Sequence, residues 1–134
     1  MLDVKNIKFY AFFSILLLMA LAHCHEPSDM AIKYSAISGN LSITVYHKVN
    51  STSVHYINKL EIYLNRQGLE MEDRLIISQL FFSQPMRNEQ RAQFLVRDLN
   101  PGDELKIIAY CNLFGQIQKI LEITDKNWQE SSEP

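Results

Sequence analysis

The stretch LSITVYH, residues 41–47, decides the fold class of this chain. Leucine, isoleucine, valine and finally histidine occupy every second position, so these side chains share one face of an extended strand. Residues 32–37 form a similar run, and Ser38-Gly39-Asn40 between the two runs is typical of a tight hairpin turn. The sequence therefore predicts an antiparallel β-hairpin with His47 at the end of its second strand.

The same alternation recurs along the rest of the chain. Between His55 and Leu64, the residues Leu60, Ile62 and Leu64 fall on one face. Asn100-Pro101-Gly102-Asp103 predicts a turn between two later strands. The further candidate strands are Leu75–Phe82, Gln93–Leu99, Leu105–Leu113 and Gln116–Thr124. About seven short strands without a helical period predict an all-β fold, an immunoglobulin-like antiparallel β-sandwich.

Length and charge limit the class of function. The chain has 134 residues, a length that suits one domain. Its formal net charge is −2, from 13 basic and 15 acidic side chains scattered along the sequence. This pattern contains no basic stripe that would bind nucleic acid. We therefore expect one globular domain with no nucleic-acid partner.

The N-terminal residues have the pattern of an export signal. Lys5 and Lys8 precede an apolar run over residues 9–22 that only Ser14 interrupts. A helix of this length rises about 21 Å, which is less than the roughly 30 Å hydrocarbon core of a bilayer. We interpret residues 1–22 as a signal peptide and residues 23–134 as the exported domain.

The sequence is compatible with more than one end to this signal. Cleavage after Ala20-Leu21-Ala22 would leave His23 as the first mature residue. Alternatively, Leu21-Ala22-His23-Cys24 resembles a bacterial lipobox, which would place a lipid anchor on Cys24, although lipoboxes usually carry Gly, Ala or Ser where His23 stands. A retained single-pass anchor is the third interpretation. We expect the domain to be exported to the periplasm or the cell envelope.

Cys111, His47 and His55 are the candidate metal ligands. Each lies at or near the end of a predicted strand, and the ends of separate strands can converge at one end of a sandwich. A thiolate and neutral imidazoles bind first-row metals well. The simpler alternatives are a small buried thiol with two unrelated histidines, or a disulfide between Cys24 and Cys111. Blue copper is excluded because neither histidine nor methionine follows Cys111.

Most of the chain after the export signal resembles one family. Residues 41–123 resemble the iron domain of superoxide reductases, the desulfoferrodoxin and neelaredoxin family. The matching pieces are His47, HYI at 55–57 with LEIY at 60–63, FLVRDLNPGD at 94–103, and AYCN at 109–112 with Gly115. The resemblance implies a mononuclear non-haem iron with four equatorial histidines and an axial cysteine thiolate. Such a centre reduces superoxide to hydrogen peroxide with an electron from a separate donor, and with only two cysteines the chain matches the single-iron type.

The resemblance assigns roles to individual residues. Cys111 matches the axial thiolate, and His47 and His55 match two of the equatorial histidines. His25, in HEP at residues 25–27, is the counterpart of the histidine in the family's Glu-Lys-His-x-Pro motif. The lysine of that motif is missing here, so Lys48, beside His47, is the candidate for attracting the superoxide anion. The predicted metal ligands are therefore His25, His47, His55 and Cys111, and the predicted catalytic residues are Cys111 and Lys48.

Phe114 is the main departure from the family pattern. It stands three residues after Cys111, where the family has a histidine, and it either leaves the site one imidazole short or packs over Cys111 and closes the pocket. Two histidines, a cysteine and a water would still suit Fe(II) or Zn(II). The alternative function is a non-enzymatic extracytoplasmic module, used for binding or structure, with a vestigial metal site. Tyr63, Phe82 and Met86 are candidate members of a partner surface on such a module.

Overall fold

Antiparallel strands make up the regular structure of the computed structural model, which describes residues 25–66 and 73–124. In chain order the strands are β1 (Asp29–Ser35), β2 (Asn40–Tyr46), β3 (Ile57–Asn65), β4 (Arg74–Leu80), β5 (Glu89–Leu95), β6 (Glu104–Cys111) and β7 (Gln116–Glu122). One sheet has the order β1-β2-β5 and the other has the order β4-β3-β6-β7. All neighbouring strands are antiparallel. The prediction of an all-β sandwich with seven strands is confirmed.

The core lies between the two sheets and follows the alternation of the sequence. On β2, Leu41, Ile43 and Val45 are at most 1% exposed, and the intervening residues point away from the core. The inward positions of β3 and β6 supply most of the remaining core: Leu60, Ile62, Leu64, Leu105, Ile107 and Ala109. Each fully buried Leu or Ile side chain contributes roughly 1.5–3 kcal/mol by its removal from water. This apolar filling holds the two sheets together and fixes which strand ends meet.

The turn between β1 and β2 is wider than the sequence predicted. It comprises residues 36–39, and Asn40 already pairs with Ser35 across the hairpin. Gly39 alone takes a left-handed φ of 68°, and its N–H donates to the Ser35 carbonyl at 2.8 Å. A four-residue turn with one left-handed position therefore replaces the tight Gly-Asn turn.

β5 begins and ends four residues earlier than predicted. It pairs with β2 along its whole length, from Tyr46 opposite Glu89 to Asn40 opposite Leu95. The predicted strand extended to Leu99 because Val96 and Leu99 are apolar. Both residues are buried, but they lie in the loop that covers the core after β5, where burial does not require a strand. The turn predicted at residues 100–103 is confirmed, since the Asp103 N–H donates to the Asn100 carbonyl at 3.0 Å.

The two ends of the sandwich differ in chemistry. We call one the histidine end, where β2 ends before His47 and β3 begins after His55, and the other the far end, where β1 turns into β2.

The predicted signal peptide and Cys24 lie outside the described residues, as does the choice between cleavage and lipidation. No helix in the described part of the chain is long and apolar enough to cross a membrane.

Candidate metal centre

The strand pairing brings three predicted ligands to the histidine end. His47 directly follows β2, and Cys111 is the last residue of β6. The pairing of β3 with β6 places Ile57 opposite Cys111, so His55 lies only two residues from the partner of the cysteine. A register shift between Ile57 and Lys59 marks an irregularity in β3 beside the site. The topology therefore joins residues that are far apart in the sequence.

The ligand atoms of these three residues converge. The Nε2 atoms of His47 and His55 are 3.1 Å apart, and the His55 Nε2 atom is 3.1 Å from the Cys111 Sγ atom. One ligand atom from each residue lies within 4.8 Å of the other two. Nitrogen and sulfur ligands sit about 2.1 and 2.3 Å from a bound zinc, so ligands of one metal are separated by about 3 to 4.4 Å. His47, His55 and Cys111 thus fit around a single metal ion.

Gln84 fixes the orientation of His47. It is fully buried, and its Nε2 atom donates to the carbonyls of His47 at 2.8 Å and Met86 at 2.7 Å. The amide oxygen therefore faces the His47 Nδ1 atom, 3.1 Å away, and accepts its proton. The lone pair of a neutral His47 is then on Nε2, which points toward His55 and the site. Sequence reasoning missed Gln84, because a glutamine in a loop carries no signal that identifies its partner.

Burial keeps both imidazoles in the form that binds metals. His47 is fully buried and His55 is 8% exposed. Burial is the main cause that lowers the pKa of His47, and the hydrogen bond that His47 donates to Gln84 opposes this shift. Burial also lowers the pKa of His55, and the neighbouring His47 lowers it further. Both histidines are therefore neutral at pH 7, each with a lone pair available to a cation.

Asn112 holds the two sides of the site together. Its Oδ1 atom accepts a hydrogen bond from the Tyr56 N–H at 2.8 Å, and its Nδ2 atom donates to the Val54 carbonyl at 2.9 Å. The Asn112 N–H also donates to the Tyr56 carbonyl at 3.0 Å. His55 lies between these two anchored residues, so the residue after Cys111 sets its position. The backbone N–H of Leu113 lies 3.4 Å from the Cys111 Sγ atom and donates to it, so the sulfur has a backbone partner on its own loop.

His25 lies next to the other two histidines but outside the tight group. Its ring centroid is 5.4 Å from that of His47 and 5.3 Å from that of His55. Its side chain is exposed, and its Nδ1 atom is 3.3 Å from the Glu26 carbonyl oxygen. The segment reaches this position by packing on Gly115, where an added Cβ would lie only 2.5 Å from the Glu26 Cβ. His25 is therefore adjacent to the residues whose ligand atoms converge, which are His47, His55 and Cys111, without being one of them.

The remaining predicted residues surround the site in different ways. Phe114 is 62% exposed, so its ring does not form a buried cover over Cys111, which is itself only partly buried. Lys48 is exposed beside buried His47. Of the residues proposed for a partner surface, Phe82 is 84% and Met86 38% exposed, whereas Tyr63 is only partly exposed. Cys24, the other half of the predicted disulfide, lies outside the described residues. Cys111 itself carries a free thiol.

Three solved structures show what this fold is similar to. The superoxide reductase (1Fe-SOR) from Giardia intestinalis aligns with a TM-score of 0.54 and 24% identity, covering 74% of this chain and 97% of that one. A superoxide reductase (neelaredoxin) variant from Ignicoccus hospitalis has a TM-score of 0.55 and 17% identity, covering 74% and 81%. The reduced superoxide reductase (neelaredoxin) from Archaeoglobus fulgidus has a TM-score of 0.53 and 16% identity, covering 75% and 89%. The chain therefore has the superoxide-reductase fold.

Sequence comparison adds no closer relative. No family model matches the chain, and no curated protein matches it significantly. The likeness is thus one of fold, together with a His-His-Cys group at the histidine end. That donor set suits mononuclear iron, because imidazole and thiolate both bind first-row metals and Gln84 already presents the His47 lone pair to the site.

Proposed function

We propose that this chain is an exported mononuclear iron protein that reduces superoxide to hydrogen peroxide. One observation carries the proposal: His47, His55 and Cys111 come from three separate segments, and their ligand atoms converge within 4.8 Å. The superoxide-reductase fold supports the choice of iron over zinc. His47, His55 and Cys111 would hold the metal, and His25 would complete the set.

The chemistry of the bound metal explains why these ligands are suitable. Ferrous iron in this site would supply the electron that converts superoxide to peroxide, while two protons come from solvent. The Cys111 thiolate would donate electron density to that iron. The Leu113 N–H, which donates a hydrogen bond to the Cys111 sulfur, would moderate this donation. Gln84 keeps the His47 ring in one tautomer and one orientation. Gln84 and the Leu113 N–H thus fix the orientation of the ligands before any substrate binds.

Positive charge beside the site supports an anionic substrate. Lys48 and Arg87 are both exposed at the histidine end, and the Val49 N–H donates to the Arg87 carbonyl at 2.7 Å. No ion pair neutralises either side chain among the described residues. A positive potential near a metal site raises the rate at which small anions arrive. Lys48 is therefore assigned the role of attracting superoxide.

Phe114 gives the proposed centre one imidazole fewer than the family pattern. Its exposed ring leaves the region beyond Cys111 without a nitrogen ligand. Among the described residues, His25 is the one further imidazole beside His47 and His55. We therefore expect weaker and less selective metal binding than a complete set of four histidines would give.

The apolar run over residues 9–22 supports export of the domain.

A spectroscopic experiment tests this proposal. The full chain is purified anaerobically under reducing conditions, loaded with Fe(II), and then oxidised. A visible thiolate-to-Fe(III) charge-transfer band should appear, should vanish in Cys111→Ser, and should persist in the matched control Cys24→Ser. The iron-loaded protein should also consume superoxide and release hydrogen peroxide in stoichiometric amounts with a reductant present.

Two results would contradict the proposal. If the chain binds no iron and shows no charge-transfer band, the non-enzymatic module with a vestigial site is the better account. If iron binds with the expected band but superoxide is not consumed, the chain is an iron-binding protein without this activity. The Cys24→Ser control separates loss of a ligand from a general effect of removing a cysteine.

A further inference from the structure

Exposed apolar side chains surround the metal site at the histidine end. We call Val54, Phe82, Leu113 and Phe114 the apolar rim, and their exposed fractions are 62%, 84%, 49% and 62%. The hydrogen bond from Asn112 Nδ2 to the Val54 carbonyl holds Val54 against the segment that carries Leu113 and Phe114. Apolar side chains this exposed contribute little to the core, so the fold does not explain them. Large exposed apolar groups around a polar site are typical of an interaction surface.

Phe82 is brought to the same end by its neighbours. The Phe81 N–H donates to the Asn58 carbonyl, and the Gln84 N–H donates to the Thr52 carbonyl, both at 2.9 Å. The loop that carries Phe82 is thus fastened to the segments on either side of His55. Its position follows from the same contacts that place Gln84 under His47. The apolar rim is therefore carried by the loops that build the metal site.

The sequence before the domain indicates what this rim meets. The apolar run over residues 9–22 ends only three residues before His25, whose ring lies beside those of His47 and His55. An extended chain spans at most about 3.6 Å per residue, so this connection reaches no more than about 11 Å. A bilayer that holds either the apolar run or a lipid on Cys24 would therefore lie directly against the histidine end.

Charge at the same end suits a lipid surface. Lys48 and Arg87 are exposed on two segments joined by the Val49 N–H to Arg87 carbonyl hydrogen bond, and neither has an ion-pair partner among the described residues. Together they outnumber Glu26, the exposed carboxylate that packs on Gly115 at this end. Basic side chains beside apolar ones match the two layers of a membrane surface, since the cations meet anionic headgroups and the apolar groups meet acyl chains. Aromatic rings such as those of Phe82 and Phe114 would enter the boundary between these layers.

We infer that the apolar rim docks on the surface of a lipid bilayer, so that the metal site works at the membrane. The inference rests on the export assigned under the proposed function and on an anchor that stays with the domain, either the apolar run or a lipid on Cys24. It does not depend on iron binding or on superoxide reduction. The occupant of the rim is lipid, because an anchor on the N-terminal segment would hold the bilayer within about 11 Å of His25, which lies at this end.

Fluorescence quenching by brominated lipids tests the inference on the full chain. Trp128, the only tryptophan, is first replaced by phenylalanine. Phe114→Trp then reports on the apolar rim, and Ile37→Trp reports on the far end, where Ile37 is 69% exposed. Each variant is reconstituted into vesicles of phosphatidylethanolamine and phosphatidylglycerol, with or without bromine on the acyl chains. We expect quenching of at least about twofold for Phe114→Trp and almost none for Ile37→Trp, because bromine quenches only at short range.

The outcomes distinguish docking from simple tethering and from other occupants. A domain that is tethered but undocked would leave both tryptophans unquenched, and that result would overturn the inference. Emission that shifts to the blue with protein concentration but without bromine quenching would indicate a second copy on the rim and would also overturn it. Phe82→Trp provides an independent reporter if Phe114→Trp fails to fold, as judged by circular dichroism. Iron content measured on the same vesicles separates this result from the proposed function, because docking without iron leaves the inference standing.

Discussion

Gln84 shows how much of the site depends on one uncharged side chain. It is fully buried, and its amide forms hydrogen bonds with three partners, which are the His47 ring, the His47 carbonyl and the Met86 carbonyl. A buried polar group that loses its partner costs about 1–3 kcal/mol. Residues that orient a metal-binding histidine typically change metal affinity when they are removed. Gln84 is therefore a positioning residue for His47 and a support for the fold.

Replacing Gln84 by methionine should weaken both metal binding and stability. Gln84→Met keeps the approximate volume but leaves the His47 Nδ1 atom and two carbonyls without partners. We expect the affinity for iron to fall by about 10- to 100-fold and the free energy of unfolding to fall by about 3 kcal/mol. Metal titration and urea unfolding measure the two effects. The control Gln79→Met, on an exposed position of β4, should change either by little, and equal effects at both positions would contradict this role.

Under the proposed function, Lys48 should affect the rate of substrate arrival rather than metal binding. It is exposed beside His47, and a charge at this position acts on an anion through the local potential. Lys48→Glu should lower the second-order rate constant for superoxide by about tenfold at low salt, with the difference shrinking as ionic strength rises. Pulse radiolysis at two salt concentrations checks this. Lys33→Glu, an exposed position on β1, provides the same change of charge away from the site, and a matching loss there would argue against a local role.

At the scale of elements, one close backbone contact decides whether His25 belongs to the site. Gly115 has a φ of 80°, and its missing Cβ leaves room for Glu26 to pass. The Gly115 carbonyl accepts a hydrogen bond from the Cys111 N–H at 3.0 Å, so the same turn also positions the cysteine. A side chain at this position would separate the N-terminal segment from the turn that follows β6.

Gly115→Ala should displace the segment that carries His25. The new methyl group would stand 2.5 Å from the Glu26 Cβ in a backbone conformation that L-residues rarely adopt. We expect a loss of about 1–2 kcal/mol in the free energy of unfolding and a metal affinity equal to that of His25→Ala. Gly39→Ala tests the same strain at the far end, where φ is 68°, and should lower stability without changing metal affinity. If Gly115→Ala binds metal as the parent chain does, His25 is not a ligand.

The outer face of the four-stranded sheet carries a separate polar cluster. On β3, Glu61 accepts hydrogen bonds from the hydroxyl groups of Tyr63 at 2.9 Å and Tyr110 at 2.8 Å, and Lys59 lies 3.0 Å from its other oxygen. The Lys59 ammonium also stands 4.2 Å from the centre of the Tyr110 ring. Burial, followed by the hydrogen bond to Glu61, raises the pKa of Tyr110 to about 12. This cluster pins β6 to β3 one residue before Cys111.

The pKa of Tyr110 predicts a loss of stability in alkali. Because the folded-state pKa lies above 10.0, the ordinary value for tyrosine, the unfolded chain releases the Tyr110 proton first as the pH rises. The contribution of Tyr110 to stability is therefore complete below about pH 10 and is lost between about pH 10 and 12. Urea unfolding at pH 9 and pH 11 should show this fall, and Tyr110→Phe should reduce it. Tyr46→Phe, at an exposed position at the end of β2, provides the comparison, and identical slopes for the parent chain and Tyr110→Phe would refute the assignment.

At the scale of the whole molecule, the candidate metal site brings together segments from both sheets. His47 follows a strand of one sheet, whereas Cys111 ends a strand of the other, and His55 lies in the connection between the sheets. A metal held by all three would therefore cross-link the sandwich at the histidine end. Binding to the folded state alone stabilises a protein by mass action.

Iron should therefore raise the stability of the whole domain. At a free Fe(II) concentration about 100 times the Kd, the free energy of unfolding should increase by about 2.7 kcal/mol. Anaerobic thermal melts with and without Fe(II) measure this as a rise of several degrees in Tm. Cys111→Ser should remove most of the rise, whereas Cys24→Ser should retain it. An equal rise in both variants would show that iron binds elsewhere on the chain.

The sequence by itself determined the fold class and the identity of the candidate ligands. Alternating apolar residues specify half-buried strands wherever they occur, so the sandwich was readable from local pattern alone. The position of β5 could not be predicted in this way, because the apolar residues Val96 and Leu99 lie in a buried loop and not in a strand. Strand boundaries depend on pairing with a neighbour, and β2 supplies that neighbour from far away in the sequence.

Only the tertiary structure decided how the ligands meet. Sequence spacing gave no reason for His47 Nε2 and His55 Nε2 to lie 3.1 Å apart, or for Gln84 to hold the His47 ring. Hydrogen bonds between segments set these distances, and a linear pattern does not encode which partners a loop residue will find. The same holds for His25, which reaches the site because Gly115 leaves room for Glu26. Local periodicity fixes the strands, but the packing of loops at the histidine end fixes the chemistry.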